Sequence, residues 1–129
     1  MKRNQCRLSI FIEDSFDSAH SLPHLPESHK CHFLHGHTYK VRLEFAGPVT
    51  GDGWIVDYGV VKSYWGMVKQ HLDHKFLNEI VPLSTCENIA AHVFGEVSRI
   101  IARLGPPLVK LTRVELRETE RCGAVIEIK

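Results

Sequence analysis

The chain lacks the features that mark several large classes of protein. Its 16 Lys and Arg residues balance 15 Asp and Glu residues among 129, so the basic excess typical of nucleic-acid-binding proteins is missing. No apolar run approaches the ~20 residues of a membrane-spanning helix. The basic start Met1-Lys2-Arg3 is typical of a signal peptide, but the apolar stretch 8–12 is too short and two acidic residues follow it at once. We therefore expect a cytoplasmic protein that binds neither nucleic acid nor a membrane.

Paired cysteine motifs and internal repeats are also missing. Four cysteines stand at positions 6, 31, 86 and 122, and none forms a C-x-x-C pair, so we expect free thiols in a reducing compartment. Hydrophobic residues make up 43% of the chain and charged residues 24%, which is typical of a globular protein. The length of 129 residues is close to the commonest size of one domain. We therefore predict a single domain over residues 1–129.

The hydrophobic pattern predicts four strands and two helices. Alternating apolar residues predict strands over 7–18, 35–46, 108–118 and 124–128. Apolar residues at helical spacing predict helices over 58–72 and 85–104, with Ser84 and Glu87 as an S-x-x-E capping box before the second. The glycine-rich stretch 47–53 predicts a turn and a hairpin. The order strand, strand, helix, helix, strand, strand predicts an α+β fold, with helices covering one face of an antiparallel sheet.

Histidine is concentrated in one short part of the chain. Six of the nine histidines fall between residues 20 and 37. His35 and His37 alternate on a predicted strand, so both imidazoles point to the same side, and His20 at the end of the first strand is the natural third member. Three neutral imidazoles with one open position are the ligand set of catalytic zinc. The alternative for this histidine cluster (His20, His35 and His37) is a set of ordinary surface or core side chains.

Two motifs beside the histidine cluster can carry proton transfer. Cys31 lies four residues before His35. It is a small buried apolar residue, a thiolate base beside a dication, or a fourth metal ligand, and its spacing does not separate these alternatives. Asp73 directly precedes His74 after the first predicted helix. The carboxylate can orient the imidazole and raise its basicity, or the histidine can simply lie near the end of a helix dipole with an unrelated aspartate beside it.

Glu118 ends the strand predicted over 108–118 and lies on its inward face. An inward carboxylate needs a donor partner. Two parallel N–H groups of a ligand such as an aminopyrimidinone match a carboxylate as an arginine fork does. The alternative partner is a nearby arginine: Arg113, Arg117 or Arg121.

These motifs occur in a fixed order along the chain. They are Phe16-x-x-Ala19-His20, Cys31-x-x-x-His35-Gly36-His37, Trp54-Ile55-Val56-Asp57-Tyr58, Leu72-Asp73-His74, Thr85-Cys86-Glu87-Asn88 and Glu118-Thr119. Together they resemble the 6-pyruvoyl-tetrahydropterin synthase superfamily from about residue 8 to the C-terminus. The three-residue gap between Cys31 and His35 is similar to the bacterial 6-carboxy-tetrahydropterin synthase (QueD-type) branch. One departure is Ser18, which stands where alanine is common in the first motif.

The resemblance implies the tunnelling fold (T-fold). In it a ββααββ unit, with two helices on one face of the sheet, joins copies of itself into a barrel around a central pore. The chain would then be a homo-oligomer, a trimer or a hexamer, with active sites between subunits. Cys31 and the metal ligands would come from one subunit, and some pocket residues from its neighbour.

The resemblance also implies an activity. The substrate would be 7,8-dihydroneopterin triphosphate, and the products 6-carboxy-5,6,7,8-tetrahydropterin, acetaldehyde and triphosphate, in the synthesis of a queuosine precursor. One alternative is the pyruvoyl enzyme, which eliminates triphosphate without breaking the carbon–carbon bond of the side chain. The other is a zinc-binding or pterin-binding protein without catalytic activity.

Each motif residue has a role in the implied reaction. Zn²⁺ would be held by the histidine cluster, and Cys31 would remove a proton from the substrate side chain. His74, oriented by Asp73, would move a second proton, and Glu118 would anchor the pterin. The pterin pocket would also be lined by two residues at the start of the second helix, Thr85 and Glu87, although helix capping explains Glu87 more simply.

Overall fold

The structure, a computed structural model, describes residues 5–129, and the basic start Met1-Lys2-Arg3 lies outside the described residues. The strands are β1 (Ser9–His20), β2 (His35–Ala46), β3 (Lys110–Arg117) and β4 (Gly123–Glu127). The helices are α1 (Tyr58–Lys69) and α2 (Cys86–Leu104), with a short 3-10 turn at Leu77–Glu79 between them. The predicted α+β class and order of elements are confirmed.

The four strands form one antiparallel sheet in the order β1-β2-β3-β4. The pairing of β1 with β2 continues to the last residue of β1, where His20 lies opposite His35 and Ser18 opposite His37. Both helices cover one face of this sheet, and the core lies between them. The largest fully buried side chains are Phe16, His20, Tyr39, Leu43, Phe45, Val61, Leu72, Leu77, Ile89, Val93, Val97 and Leu116. A histidine is therefore among the most buried residues of the core.

The opposite face of the sheet has no helix over it and is charged. Arg42 pairs with Glu13 and Glu44, and Arg113 pairs with Glu44 and Glu115. The alternating sequence of β2 explains both faces, because Tyr39, Val41, Leu43 and Phe45 point to the core while the residues between them point away. The sheet is therefore polar on the side away from the core.

The predicted hairpin after β2 is wrong. Residues 50–54 do form a turn, in which Gly53 has a φ of 88° and Thr50 N–H donates to Trp54 O at 2.8 Å. The next element after this turn is helix α1 and not a strand. Instead Ile55 is buried in the core, and the Asp57 carboxylate accepts the Gly59 N–H at 2.8 Å and begins α1. The capping aspartate starts a helix before a second strand can form.

Helix α1 ends earlier than predicted, at Lys69 and not at 72. Leu72 still packs in the core, because the chain continues through turns on the same side of the molecule. The helix is joined to β1 by the Trp65 indole, which donates to Asp14 at 2.8 Å, and by an ion pair of Lys69 with the same carboxylate. Among residues 5–129, no helix is long and apolar enough to cross a membrane.

Candidate functional site

The three predicted metal ligands lie together at the end of the β1–β2 ladder. Ring centroids are 4.5 Å apart for His20 and His35, 5.2 Å for His20 and His37, and 4.9 Å for His35 and His37. One nitrogen from each ring lies within 4.8 Å of the other two. The strand pairing brings them together, because period two puts His35 and His37 on one face and the register puts His20 across from them.

Backbone carbonyls orient two of the rings. His20 Nδ1 lies 2.7 Å from Ser84 O, and His35 Nδ1 lies 2.8 Å from Phe33 O. A carbonyl can only accept, so each Nδ1 carries a proton, and in the neutral ring the lone pair is then on Nε2. The Nε2 atoms of all three rings are buried without a hydrogen-bond partner in residues 5–129. Burial also lowers the pKa of His37, which keeps that imidazole neutral. Three buried nitrogen acceptors facing one another fit a dication.

Glu118 follows β3 and turns its carboxylate towards the histidine cluster. Its Oε1 lies 3.5 Å from His20 Nε2 and 3.8 Å from His37 Nε2. Within residues 5–129 no arginine pairs with Glu118, since Arg113 and Arg117 pair with other glutamates. The inward position predicted for Glu118 is therefore correct, and the arginine alternative is not what the structure shows.

Tyr39 lies beneath the histidine cluster and is fully buried. Its ring stacks on Phe16 at 5.0 Å and meets the rings of His20 and His37 edge-on, at 6.0 and 5.4 Å. The phenolic oxygen has no hydrogen-bond partner in residues 5–129. Burial, followed by the charge of Glu118, raises the pKa of Tyr39, so the group is a neutral donor.

Cys31 lies in the loop between β1 and β2 and is half-buried. Its N–H donates to His29 Nδ1 at 3.0 Å, and its carbonyl accepts from Leu22 N–H at 2.8 Å. The group of ligand atoms within 4.8 Å of one another contains the three histidines and not the Cys31 thiol. The proposed role of Cys31 as a base stays a prediction.

Asp73 and His74 form a pair on the turn after α1. His74 Nδ1 lies 3.1 Å from Asp73 Oδ2, and the imidazole is 77% exposed. The hydrogen bond from the Asp17 N–H, together with His74 and Lys69, lowers the pKa of Asp73, so the carboxylate is charged. His74 has a φ of 57°, and it is the one residue besides glycine with a positive φ in residues 5–129.

An open cavity of about 630 Å³ lies beside His74. It is lined by Asp17, Ser18, Ala19, Gly36, His37, Thr38, His74, Lys75 and Phe76. His37 and His74 thus both form part of its wall, while the Nε2 atom of His37 is buried in the histidine cluster. A small molecule bound there can contact both.

The start of α2 corrects the predicted capping box. The N-cap residue is Thr85, whose Oγ1 accepts the Asn88 N–H at 3.2 Å, and not Ser84. Ser84 is fully buried: its hydroxyl donates to Asn78 Oδ1 at 2.9 Å while its carbonyl holds His20. Glu87 is exposed in the first turn of α2. Contact of Thr85 or Glu87 with a pterin stays a prediction.

Comparison with known proteins agrees with this architecture. The family model of 6-pyruvoyl tetrahydropterin synthase matches residues 9–129. A 6-carboxy-5,6,7,8-tetrahydropterin synthase from Synechocystis sp. is 40% identical over 96 residues, which are 68% of this chain and 73% of that one. A dihydroneopterin monophosphate aldolase from Pyrococcus furiosus is 30% identical over 118 residues, or 92% and 96% of the two chains.

A solved structure extends the comparison to three dimensions. The 6-pyruvoyl tetrahydropterin synthase of Caenorhabditis elegans superposes with a TM-score of 0.82 at 25% identity, covering 95% of this chain and 96% of the other. The match of the family model covers nearly all the described residues, from the start of β1 to the C-terminus. The chain therefore belongs to the 6-pyruvoyl tetrahydropterin synthase family.

Proposed function

We propose that this chain is a zinc-dependent lyase that converts 7,8-dihydroneopterin triphosphate into 6-carboxy-5,6,7,8-tetrahydropterin, acetaldehyde and triphosphate, as a step towards a queuosine precursor. The observation that carries the proposal is the set of three buried Nε2 atoms without partners, which face one another beside a cavity that also contains His74. Relatives named 6-carboxy-5,6,7,8-tetrahydropterin synthase at 37–40% identity support the choice of reaction.

The metal would be held by the histidine cluster. When bound there, Zn²⁺ supplies Lewis acidity towards an oxygen of the substrate side chain. The carbonyls of Ser84 and Phe33 accept from Nδ1 of His20 and His35, and this leaves the Nε2 atom of each ring for the metal. Burial of His37 keeps its ring neutral near pH 7.

Two groups of the chain would move protons. The Cys31 thiolate would take one from the substrate side chain, and its partly buried position in the loop leaves it partly accessible. Asp73 accepts from His74 Nδ1–H and leaves His74 Nε2 to hold or release the second proton. Because the His74 imidazole is mostly exposed, a ligand in the cavity can reach that nitrogen.

Glu118 would orient the pterin. Its carboxylate lies beside the histidine cluster, and no arginine or lysine pairs with it in the described residues. The amino-pyrimidinone edge of a pterin presents two parallel N–H donors that a carboxylate can accept together. Holding that edge fixes the side chain of the substrate relative to the metal and to the proton-transfer groups. Thr85 and Glu87 would line the same pocket.

We further propose that the chain acts as a homo-oligomer, a trimer or a hexamer. The edge strands of the sheet are β1 and β4; the turn at residues 73–76 covers residues 17–19 of β1, and no strand of residues 5–129 pairs with the rest of that edge. Unpaired N–H and C=O groups at an edge favour pairing with another strand. Pairing between copies would also place the open cavity at a subunit boundary. Light scattering should give a mass of three or six times 14.7 kDa, and a monomer with full activity would contradict this part of the proposal.

The test of the reaction is an incubation of the zinc-loaded protein with dihydroneopterin triphosphate, with products separated by mass. Acetaldehyde together with a carboxy-tetrahydropterin supports the proposal. A pyruvoyl-tetrahydropterin without acetaldehyde replaces it by triphosphate elimination. No turnover by a metal-loaded protein favours a binding protein without catalytic activity.

A second candidate is favoured by one relative. The Pyrococcus furiosus protein covers more of this chain than the Synechocystis relative and is named dihydroneopterin monophosphate aldolase. A parallel incubation with dihydroneopterin monophosphate separates the two. Cleavage of the monophosphate but not the triphosphate would favour the aldolase.

Two variants test the roles of the residues. Cys31→Ala should keep bound zinc and lose turnover, whereas lost zinc would make Cys31 a metal ligand. Glu118→Gln should mainly weaken pterin binding, because it removes one of the two acceptor oxygens. An unchanged affinity would contradict the anchoring role.

A further inference from the structure

We propose that Ser18 is a positioning residue whose buried hydroxyl holds the turn that presents His74 to the cavity. The inference rests on the proposed function insofar as His74 moves a proton there.

The hydroxyl of Ser18 makes two hydrogen bonds to the turn. It donates to the carbonyl of Leu72 and accepts the N–H of Lys75 at 3.3 Å. Ser18 is buried, with 7% of its surface exposed. The Leu72 carbonyl and the Lys75 N–H come directly before and after Asp73 and His74 in the chain. One oxygen atom therefore bonds to both ends of the segment that carries this pair.

The backbone of β1 makes further bonds to the same turn. Asp17 N–H donates to Asp73 Oδ1 at 2.9 Å, and His74 N–H donates to Asp17 O at 2.6 Å. Ala19 N–H donates to Lys75 O at 3.1 Å. The backbone groups of β1 are present whatever the side chains are. The hydrogen bonds of the Ser18 hydroxyl, in contrast, depend on which residue occupies position 18.

His74 needs this support because its backbone is strained. A φ of 57° is the left-handed region, which is unfavourable for a residue with a Cβ. Such a conformation persists only where surrounding contacts impose it. Without the hydroxyl, the Leu72 carbonyl and the Lys75 N–H both lose their partner. The turn can then relax, and the imidazole leaves its position over the cavity.

Substitution by alanine isolates this contact. The Cβ of Ser18 and the strand pairing opposite His37 are kept, so Ser18→Ala should fold. The matched control is Ser15→Ala, because Ser15 lies on the same strand but on its opposite face, paired with Lys40. Bound zinc and the urea midpoint of unfolding verify that each variant keeps its metal and its fold.

The first readout is steady-state kinetics with dihydroneopterin triphosphate. Misplacement of a proton-transfer group lowers kcat, by about tenfold here and up to about 100-fold for a shift of 1 Å. KM should stay within about twofold, because the pterin anchor and the histidine cluster are untouched. A merely structural role would lower the amount of active protein and leave kcat per active site unchanged. Ser15→Ala should match the parent protein.

The second readout needs no activity. Amide hydrogen exchange resolved at single residues should be about tenfold faster at His74 in Ser18→Ala. The partner of the His74 N–H is the carbonyl of Asp17, which the substitution does not remove, so faster exchange there reports opening of the whole turn. Amides in the centre of β2 should exchange at their original rates.

The outcomes separate the two proposals. Unchanged exchange at His74 overturns the inference whatever the activity is. Faster exchange with unchanged kcat also overturns it, because the held turn would then have no effect on the chemistry. If the parent protein turns over none of the pterins tested, the proposed function fails, and the exchange at His74 alone decides whether Ser18 holds the turn.

Discussion

Removal of one imidazole from the histidine cluster should abolish the stabilisation of the fold by zinc. His35→Ala is the most informative substitution, because His35 is half-buried and the hydrogen bond of its imidazole in residues 5–129 is the one to Phe33 O. Loss of that bond should cost the metal-free protein only about 1 kcal/mol. The larger effect should appear when zinc is added, because the Nε2 atoms of the two remaining histidines then lack the third ligand.

The magnitude follows from linkage between binding and folding. Free zinc at 100 times its dissociation constant stabilises the folded state by about 2.7 kcal/mol. For a chain of this length we expect a shift of about 10 °C in Tm. A chelator should therefore lower the Tm of the parent protein by about 10 °C and that of His35→Ala by less than about 2 °C.

The assay is thermal unfolding followed by circular dichroism, with zinc or with a chelator, at one protein concentration. His24→Ala is the control, because His24 is an exposed histidine outside the cluster. It should keep the full response to zinc. An equal response in His35→Ala and in the parent protein would refute the assignment of the metal ligands.

Three further predictions concern single residues. Tyr39→Phe should raise the free energy of unfolding of the metal-free protein by about 1 kcal/mol in urea, because it removes a fully buried hydroxyl without a partner; a loss of 1 kcal/mol or more would show that the hydroxyl has one. His74→Gly should be about 1 kcal/mol more stable than His74→Ala, since glycine adopts a φ of 57° without strain, and equal stabilities would mean that the residue does not hold this conformation in solution. Burial by itself would raise the pKa of Asp14. Hydrogen bonds from the Trp65 indole and the Ser15 backbone, together with Lys69, outweigh burial and lower this pKa below its ordinary value. This carboxylate therefore contributes stability above pH about 4 that is lost as the pH falls through the pKa of the folded state, so urea unfolding of Asp14→Asn should vary less with pH between about 2 and 4 than unfolding of the parent protein.

The position of the histidine cluster could be predicted from the sequence because it depends on local periodicity. Strand β2 begins at His35 and ends at Ala46, as the alternation predicts, and two residues spaced by two on a strand always share a face. His20 required one more step, the assumption that the first two strands pair. Their antiparallel ladder runs to His20 and His35, so the assumption was correct.

The start of α2 could not be placed to the residue. Ser84 and Thr85 are both good capping residues, and an S-x-x-E pattern favours the first. The structure uses Thr85, because Ser84 is buried against Asn78 and turns its carbonyl to His20. Helix ends chosen by tertiary contacts are not visible in local preference.

The sequence by itself determined the order of elements, the faces of the strands and which three histidines lie together. These follow from apolar or histidine residues spaced by two on strands and by three to four on helices. Tertiary structure alone decided the partner of the Glu118 carboxylate, the contact of Ser18 with the turn 54–57 residues later, and the left-handed backbone of His74. Each of these depends on which distant groups meet when the strands and turns pack. Polar side chains such as Ser18 and Glu118 have many equivalent partners in a sequence and only a few within hydrogen-bond distance in the fold.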